Sequence, residues 1–250
     1  MTYCVAMRLQ DGLIFASDSR TNAGVDHVAT FRKMHIFEQE GERRIVLMNA
    51  GNLATTQSVV SLLRARLRSD RPHLLDVPSL YDAAILVGQT LKEVLARDSA
   101  SGGMSSGVDF GASFLVGGQI RGEPPRLFQI YAQGNFIEAS TDTPYFQIGE
   151  SKYGKPILDR VLKWETPLAD AITCTLISFD STIRSNLSVG MPIDVLWHHR
   201  DDFSVRMPYR VNEDDPYFLG IRQAWGQGLR QLFSTLPNAD WTLSPHRLSE

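Results

Sequence analysis

The chain has little that would staple, anchor or strongly charge it. Only two cysteines occur among 250 residues. Cys4 and Cys174 each fall inside an apolar periodic segment, so buried free thiols are expected in place of a disulfide framework. No apolar run approaches the roughly 20 residues needed to span a bilayer. The N-terminus lacks a basic segment ahead of an apolar one and is interrupted by Arg8, Gln10 and Asp11. No secretory signal is therefore expected, and a cytoplasmic location is. The net charge of −3 gives no reason to expect nucleic acid or an anionic membrane as a partner.

Two further motifs are decoys. His198 and His199 precede Asp201 and Asp202, but neighbours on a strand face opposite sides. No metal is expected there, and the pair reads as a surface strand end. The stretch GESKYGKP nearly satisfies a phosphate-loop pattern, yet Pro156 stands where a hydroxyl must hold magnesium. No cofactor is expected.

What the chain does have is ordinary globular composition, 43% hydrophobic and 21% charged. A single domain over residues 1–250 is expected, with a polar C-terminal tail over 237–250. Tyr3 to Leu9 and Leu13 to Ser17 flank Asp11-Gly12, a strong hairpin signal. KMHIFEQ and RRIVLMNAG flank a second turn at Glu40-Gly41-Glu42, so the first fifty residues read as antiparallel strands, with Lys33 starting the third. Val59, Leu62, Leu63 and Leu67 then share one helical stripe. A second helix carries Leu80, Ala83, Ala84, Val87, Leu91, Val94 and Leu95, with Pro78 in its first turn. A glycine-rich loop, SGGMSSG, spans 101–107. Four strands, two helices, two strands and a last helix from about Pro216 to Leu236 complete the chain. Helices in pairs between sets of hairpin-linked strands imply an α+β protein with two packed antiparallel sheets and helices on both outer faces.

The chemistry concentrates near the start. Removal of Met1 would expose Thr2 with its hydroxyl and its α-amine on one residue, a nucleophile with its own base. That amine, with a reference pKa near ~8, is suited to proton transfer close to neutrality. The hairpin brings Asp18, at the end of strand two, beside Thr2. Lys33 could lower the hydroxyl's pKa while Asp18 orients the ammonium. In NAGN at 49–52, the amide of Gly51 near a helix start could serve a developing oxyanion.

The start T-x-x-x-A, the segment GLIFASDSR, the Lys33 strand and the A-G-N turn together resemble a proteasome-type β subunit, of the N-terminal nucleophile hydrolase class. More closely, SDSRTNAG, NAGNLATTQSV, FQIGESKYGKPILDR and FDSTIRSNLSVGMPIDV are similar to a bacterial homologue regarded as an ancestral β subunit. The resemblance implies a four-layer αββα sandwich and threonine peptidase chemistry with Thr2 as nucleophile. Lys33 and Asp18 would tune it, Gly51 would supply the oxyanion amide, and Arg20 would brace the Asp18 turn. It also gives Ser151, in Gly149-Glu150-Ser151, as the counterpart of a family Gly-Ser-Gly. The Asp and Ser that support the amine fall between Asp180-Ser181-Thr182 and Ser185-Asn186, with Asp180 and Ser181 as candidates and the single alignment open. The family's propeptide is replaced here by Met1 alone. Implied partners are a peptide or unfolded protein substrate, copies of the chain in a ring or open spiral, and an unfoldase of unknown identity. Two rival functions stand beside the peptidase: a non-catalytic assembly subunit, and an amidohydrolase acting on non-peptide amides.

Overall fold

In the computed structural model, which describes residues 2–22, 28–100 and 109–239, the Asp11-Gly12 turn closes a hairpin of β1 (Tyr3–Leu9) and β2 (Gly12–Asp18). The register sets Cys4 opposite Ser17 and Leu9 opposite Gly12. β10 (Tyr145–Gly149) flanks β1, while β11 (Ile193–His199) and then β12 (Tyr209–Val211) extend from β2, giving the order β10-β1-β2-β11-β12. The second sheet runs β5 (Met34–Gln39), β6 (Arg43–Gly51), β7 (Ala112–Ile120), β8 (Arg126–Ile130) and β9 (Phe136–Glu138). Every strand pair in both sheets is antiparallel.

The sequence pattern explains the layering. β1 is apolar at almost every position because both of its faces are covered. Cys4 and Ala6 point into a core shared with Val46, Met48 and Leu115 of the other sheet. Tyr3 and Met7, on the opposite face, meet Ser178, Phe179 and Thr175 of α4 (Leu168–Ser185). The second sheet's outer face packs α1 (Leu53–Arg66) and α2 (Leu80–Ala100) through Leu47, Phe114, Val59, Leu63, Val87 and Leu91. With α3 (Lys155–Val161) packed beside α4, the result is helices, sheet, sheet, helices: an α+β, four-layer αββα sandwich.

Several local expectations shift. A small ribbon of β3 (Arg20–Asn22) and β4 (Val28–Thr30) was not legible as strands. Lys33 precedes β5 and does not begin it. Ser79 caps α2, its hydroxyl accepting from the Asp82 amide at 3.1 Å, so Pro78 lies outside the helix. His198 is fully buried, not a surface residue, while His199 is exposed. The loop at 101–107 lies outside the described residues, as do Met1 and all of the expected tail beyond residue 239.

Contacts divide the chain into one compact unit through Glu213 and another from Asp214 onward. The second contains α5 (Pro216–Thr235), with Pro216 in its first turn and the Asp215 carboxylate accepting from the Phe218 amide at 2.9 Å. Among the described residues no helix is long and apolar enough to cross a membrane.

Candidate active site

Thr2 sits at the mouth of the β1–β2 hairpin, and its neighbour holds it there. The Tyr3 side chain is fully buried, shares a 2.6 Å hydrogen bond with the Ser178 hydroxyl and accepts from Gln147 Nε2 at 2.7 Å. Its ring lies 4.5 Å from that of Phe179. Burial pushes the Tyr3 phenol well above its ordinary value, so it stays neutral as an anchor. On the other side, the Glu150 amide donates to the Thr2 carbonyl at 2.6 Å. Only glycine fits at position 149 for that contact: its φ is +83°, and a Cβ there would lie 2.0 Å from the Thr2 carbonyl oxygen. Asn186 Nδ2 then donates to the Glu150 carboxylate at 2.9 Å, tying the end of α4 to the same clamp.

Asp18 and Lys33 meet behind Thr2 and bridge the two sheets. Lys33 Nζ donates to Asp18 Oδ1 at 2.6 Å and to the Arg20 carbonyl at 2.6 Å, with both side chains buried. The same carboxylate accepts from the Tyr3 amide at 2.9 Å and from the Gly190 amide at 3.4 Å. Burial pushes the Asp18 carboxyl above its ordinary value, and the Lys33 ammonium and these amides pull it back. Arg20 braces this turn by donating to the Leu187 carbonyl at 3.2 Å, with its guanidinium packed where a Cβ on Gly190 would fall.

Gly51 supplies a turned amide. Its φ is +111°, and a Cβ there would lie 2.4 Å from the Gly111 carbonyl oxygen. The Asn52 amide donates across to that same carbonyl at 2.9 Å, whereas the Asn49 amide donates to Lys33 on the opposite side. Strand alternation therefore turns the Gly51 N–H to the Lys33 side. There the chain before β5 has already left, since Phe31 donates to Ser19 instead. Asn52 next caps α1 by accepting from the Thr55 amide at 3.2 Å.

Thr2, Lys33 and Gly51 thus line one cavity of about 720 Å³, with Asp18 directly behind Lys33. Ser151, Asp180 and Ser181 do not line it. Ser151 borders a separate depression near Tyr145 and Lys155. Asp180 is buried on α4 and accepts from Arg184 Nε at 3.1 Å, while Ser181 is half-buried one residue on. Sequence reasoning missed Gly149, Glu150 and Gly190, which fix the carbonyl of Thr2 and the carboxylate of Asp18. It also missed Tyr3, whose place directly after Thr2 was the available signal. Cys4 is fully buried against the Asn49 carbonyl, 3.7 Å away, and burial raises its thiol far from the range of a reactive thiolate. Among the described residues no group of His, Cys, Asp and Glu is arranged to hold a metal ion.

The fold has close counterparts. The family described as proteasome subunit matches residues 2–197. Anbu (ancestral beta-subunit) from Yersinia bercovieri is 60% identical, with 95% of this chain and 98% of that one covered and a TM-score of 0.89. A chain from the helical assembly of the Anbu complex of Pseudomonas aeruginosa is 58% identical over 97% of this chain and 100% of that one, with a TM-score of 0.92. Anbu from Hyphomicrobium sp. strain MC1 is 50% identical, covering 95% and 99%, with a TM-score of 0.86. No curated protein matches the chain.

Proposed function

The chain belongs to the proteasome-subunit family, alongside the bacterial ancestral β-subunits, and from that premise we propose that it is a threonine peptidase. Thr2, exposed by removal of Met1, is its nucleophile. The observation that carries the reading is the Lys33 ammonium: two of its three donors are committed, to Asp18 and to the Arg20 carbonyl, and it lines the cavity that Thr2 also lines. The remaining N–H is available to the Thr2 hydroxyl, where the positive charge favours the alkoxide.

Thr2 Oγ bonds to the substrate carbonyl carbon while its proton passes to the α-amine. The carbonyl oxygen takes the electron pair and is stabilised by the Gly51 N–H. Collapse breaks the C–N bond, with the proton delivered to the leaving amine. Water then hydrolyses the resulting ester by the reverse proton route and frees Thr2. Asp18 stays ionised throughout and keeps the ammonium in place.

A peptide or unfolded segment is the substrate, since an open cavity at a strand end admits an extended backbone. Copies of the chain assemble into an open ring or spiral. That part rests on the helical assembly of the Pseudomonas aeruginosa relative and on the exposed Leu229, Leu232 and Phe233 of α5.

Two measurements test the peptidase. Thr2→Ala is expected to abolish hydrolysis while leaving the thermal unfolding midpoint in place, and undiminished turnover would remove Thr2 from the mechanism. A peptide α,β-epoxyketone, which needs both the hydroxyl and the free amine, is expected to add its full mass to the trimmed chain. A chain that begins at Thr2 and takes up no reagent would favour a non-catalytic assembly subunit.

A further inference from the structure

Resting on that reading, we propose that the cavity beside Thr2 selects an acidic side chain on the residue whose carbonyl is attacked, with Arg64 as the residue that reads its charge. The side chain of the attacked residue leaves the backbone one bond from the reacting carbon. It therefore enters the cavity that Thr2 and Gly51 border, while the leaving amine points away.

The cavity's charge is one-sided. Arg32, Lys33 and Arg64 line it, and no Asp or Glu does. Lys33 is ion-paired with Asp18, but neither arginine has a carboxylate within ion-pair distance among the described residues. On α1, the wall is a single helical stripe of Leu53, Thr56, Gln57, Val60, Ser61 and Arg64, which puts the guanidinium at the end remote from the Asn52 cap.

The guanidinium is also held. Arg64 donates to His35 Nδ1 at 3.4 Å, and His35 Nε2 donates to Asn49 Oδ1 at 3.2 Å. This direction requires a neutral imidazole. Burial and the Arg64 charge supply one by lowering His35 to about 4. Asn49 lies two residues before Gly51, so the ladder runs from beside the oxyanion amide to the last turn of α1 at the cavity's edge. Arg64 is exposed, yet an uncompensated cation on the cavity wall favours a carboxylate over a neutral isostere. The longer glutamyl side chain reaches it better than the aspartyl one.

The test uses the full chain trimmed to Thr2 and four peptide epoxyketones that differ only in the residue bearing the warhead: Glu, Gln, Leu or Arg. The reading is the second-order rate of adduct formation by intact mass. Glu is expected to outpace its isostere Gln at least tenfold, equivalent to about 1.4 kcal/mol. Arg64→Gln is expected to bring that ratio close to one, and Arg64→Glu to put the Arg reagent ahead of the Glu reagent. Equal rates for Glu and Gln, or a ratio that survives Arg64→Gln and falls only in Arg32→Gln, would overturn the assignment while leaving Thr2 chemistry intact. No adduct with any reagent would overturn the peptidase reading, and the charge preference with it.

Discussion

The two ends of the sandwich are joined across the sheets by different buried polar pairs. At the end that holds Thr2, Asp18 of one sheet and Lys33 before the other form a charged pair at 2.6 Å. At the far end, Gln119 of β7 meets β11 through an amide–imidazole bridge: its Oε1 accepts from His198 Nε2 at 3.1 Å and from the Asp201 amide at 2.8 Å. Its Nε2 donates to the Glu123 carbonyl at 2.8 Å and to Asp201 Oδ1 at 2.6 Å. Every hydrogen-bonding position of that amide is used, and the bridge itself is made without a charged partner on His198. Both joints link the same two sheets, so holding the sandwich together does not by itself require a buried ammonium. Burying an ion pair is costly and often adds no net stability. At the far end the buried cation is Arg44, whose partner Glu38 reaches solvent, whereas both members of the Asp18–Lys33 pair are enclosed and Lys33 lines the Thr2 cavity, as fits a charge kept for chemistry.

The largest effect expected from breaking this contrast is at Lys33. Lys33→Met should reduce hydrolysis by about 10²–10⁴-fold. It should also cost about 3–5 kcal/mol at neutral pH, because the Asp18 charge is left buried and unpaired. Adding Asp18→Asn in the same chain should restore much of the stability and none of the activity. Denaturant midpoints together with peptide turnover separate the two roles. Activity surviving in the single variant would make the charged joint structural like the other.

At the far joint, Gln119→Leu strands the His198 N–H and the Asp201 amide, so a loss of about 2–3 kcal/mol is expected. The rate of epoxyketone labelling per folded chain should not change, since Gln119 lies at the end of β7 remote from Gly51. A labelling rate that fell with stability would mean the two ends are coupled.

How legible these joints were in the sequence follows from how local their signals are. The Asp11-Gly12 turn and the stripes of α1 and α2 are written within a few residues, and they gave the strand and helix pairs and hence the layers. The expected closeness of Thr2 and Asp18 followed from a hairpin and that of Gly51 from a strand-to-helix turn, while Lys33 was placed only as the start of a strand. The partners were not found. Gly190 lies 172 residues from the Asp18 carboxylate it serves, and Gln119 lies 79 residues from His198. His198 looked like a surface residue because only Gln119, from the other sheet, shows why a histidine at a strand end can be buried. The ribbon of β3 and β4 was missed because three-residue strands carry too little alternation to register.

The smallest expected effect concerns the histidine at each end. Burial first, then Arg44 and more weakly His199 and Arg206, lower His198 to about 4 against the opposing Asp202. Geometry agrees: Nε2 donates to Gln119, and the buried Nδ1 has no hydrogen-bond partner among the described residues, so a second ring proton would have none of them to bond. His35 is lowered to about 4 as well. As pH falls below about 6.5 the unfolded chain takes up protons at both positions, whereas the folded chain does not until near 4. The stability they contribute is complete above 6.5 and is lost through that window. Each histidine contributes a slope of at most about 1.4 kcal/mol per pH unit, less where solvent reaches the ring. His198→Gln is expected to flatten the decline in urea stability between pH 6.5 and 4 by roughly half. An unaltered slope in that variant would mean that the far joint accepts a charged imidazole, and the contrast between an ion pair at one joint and a neutral imidazole at the other would not hold.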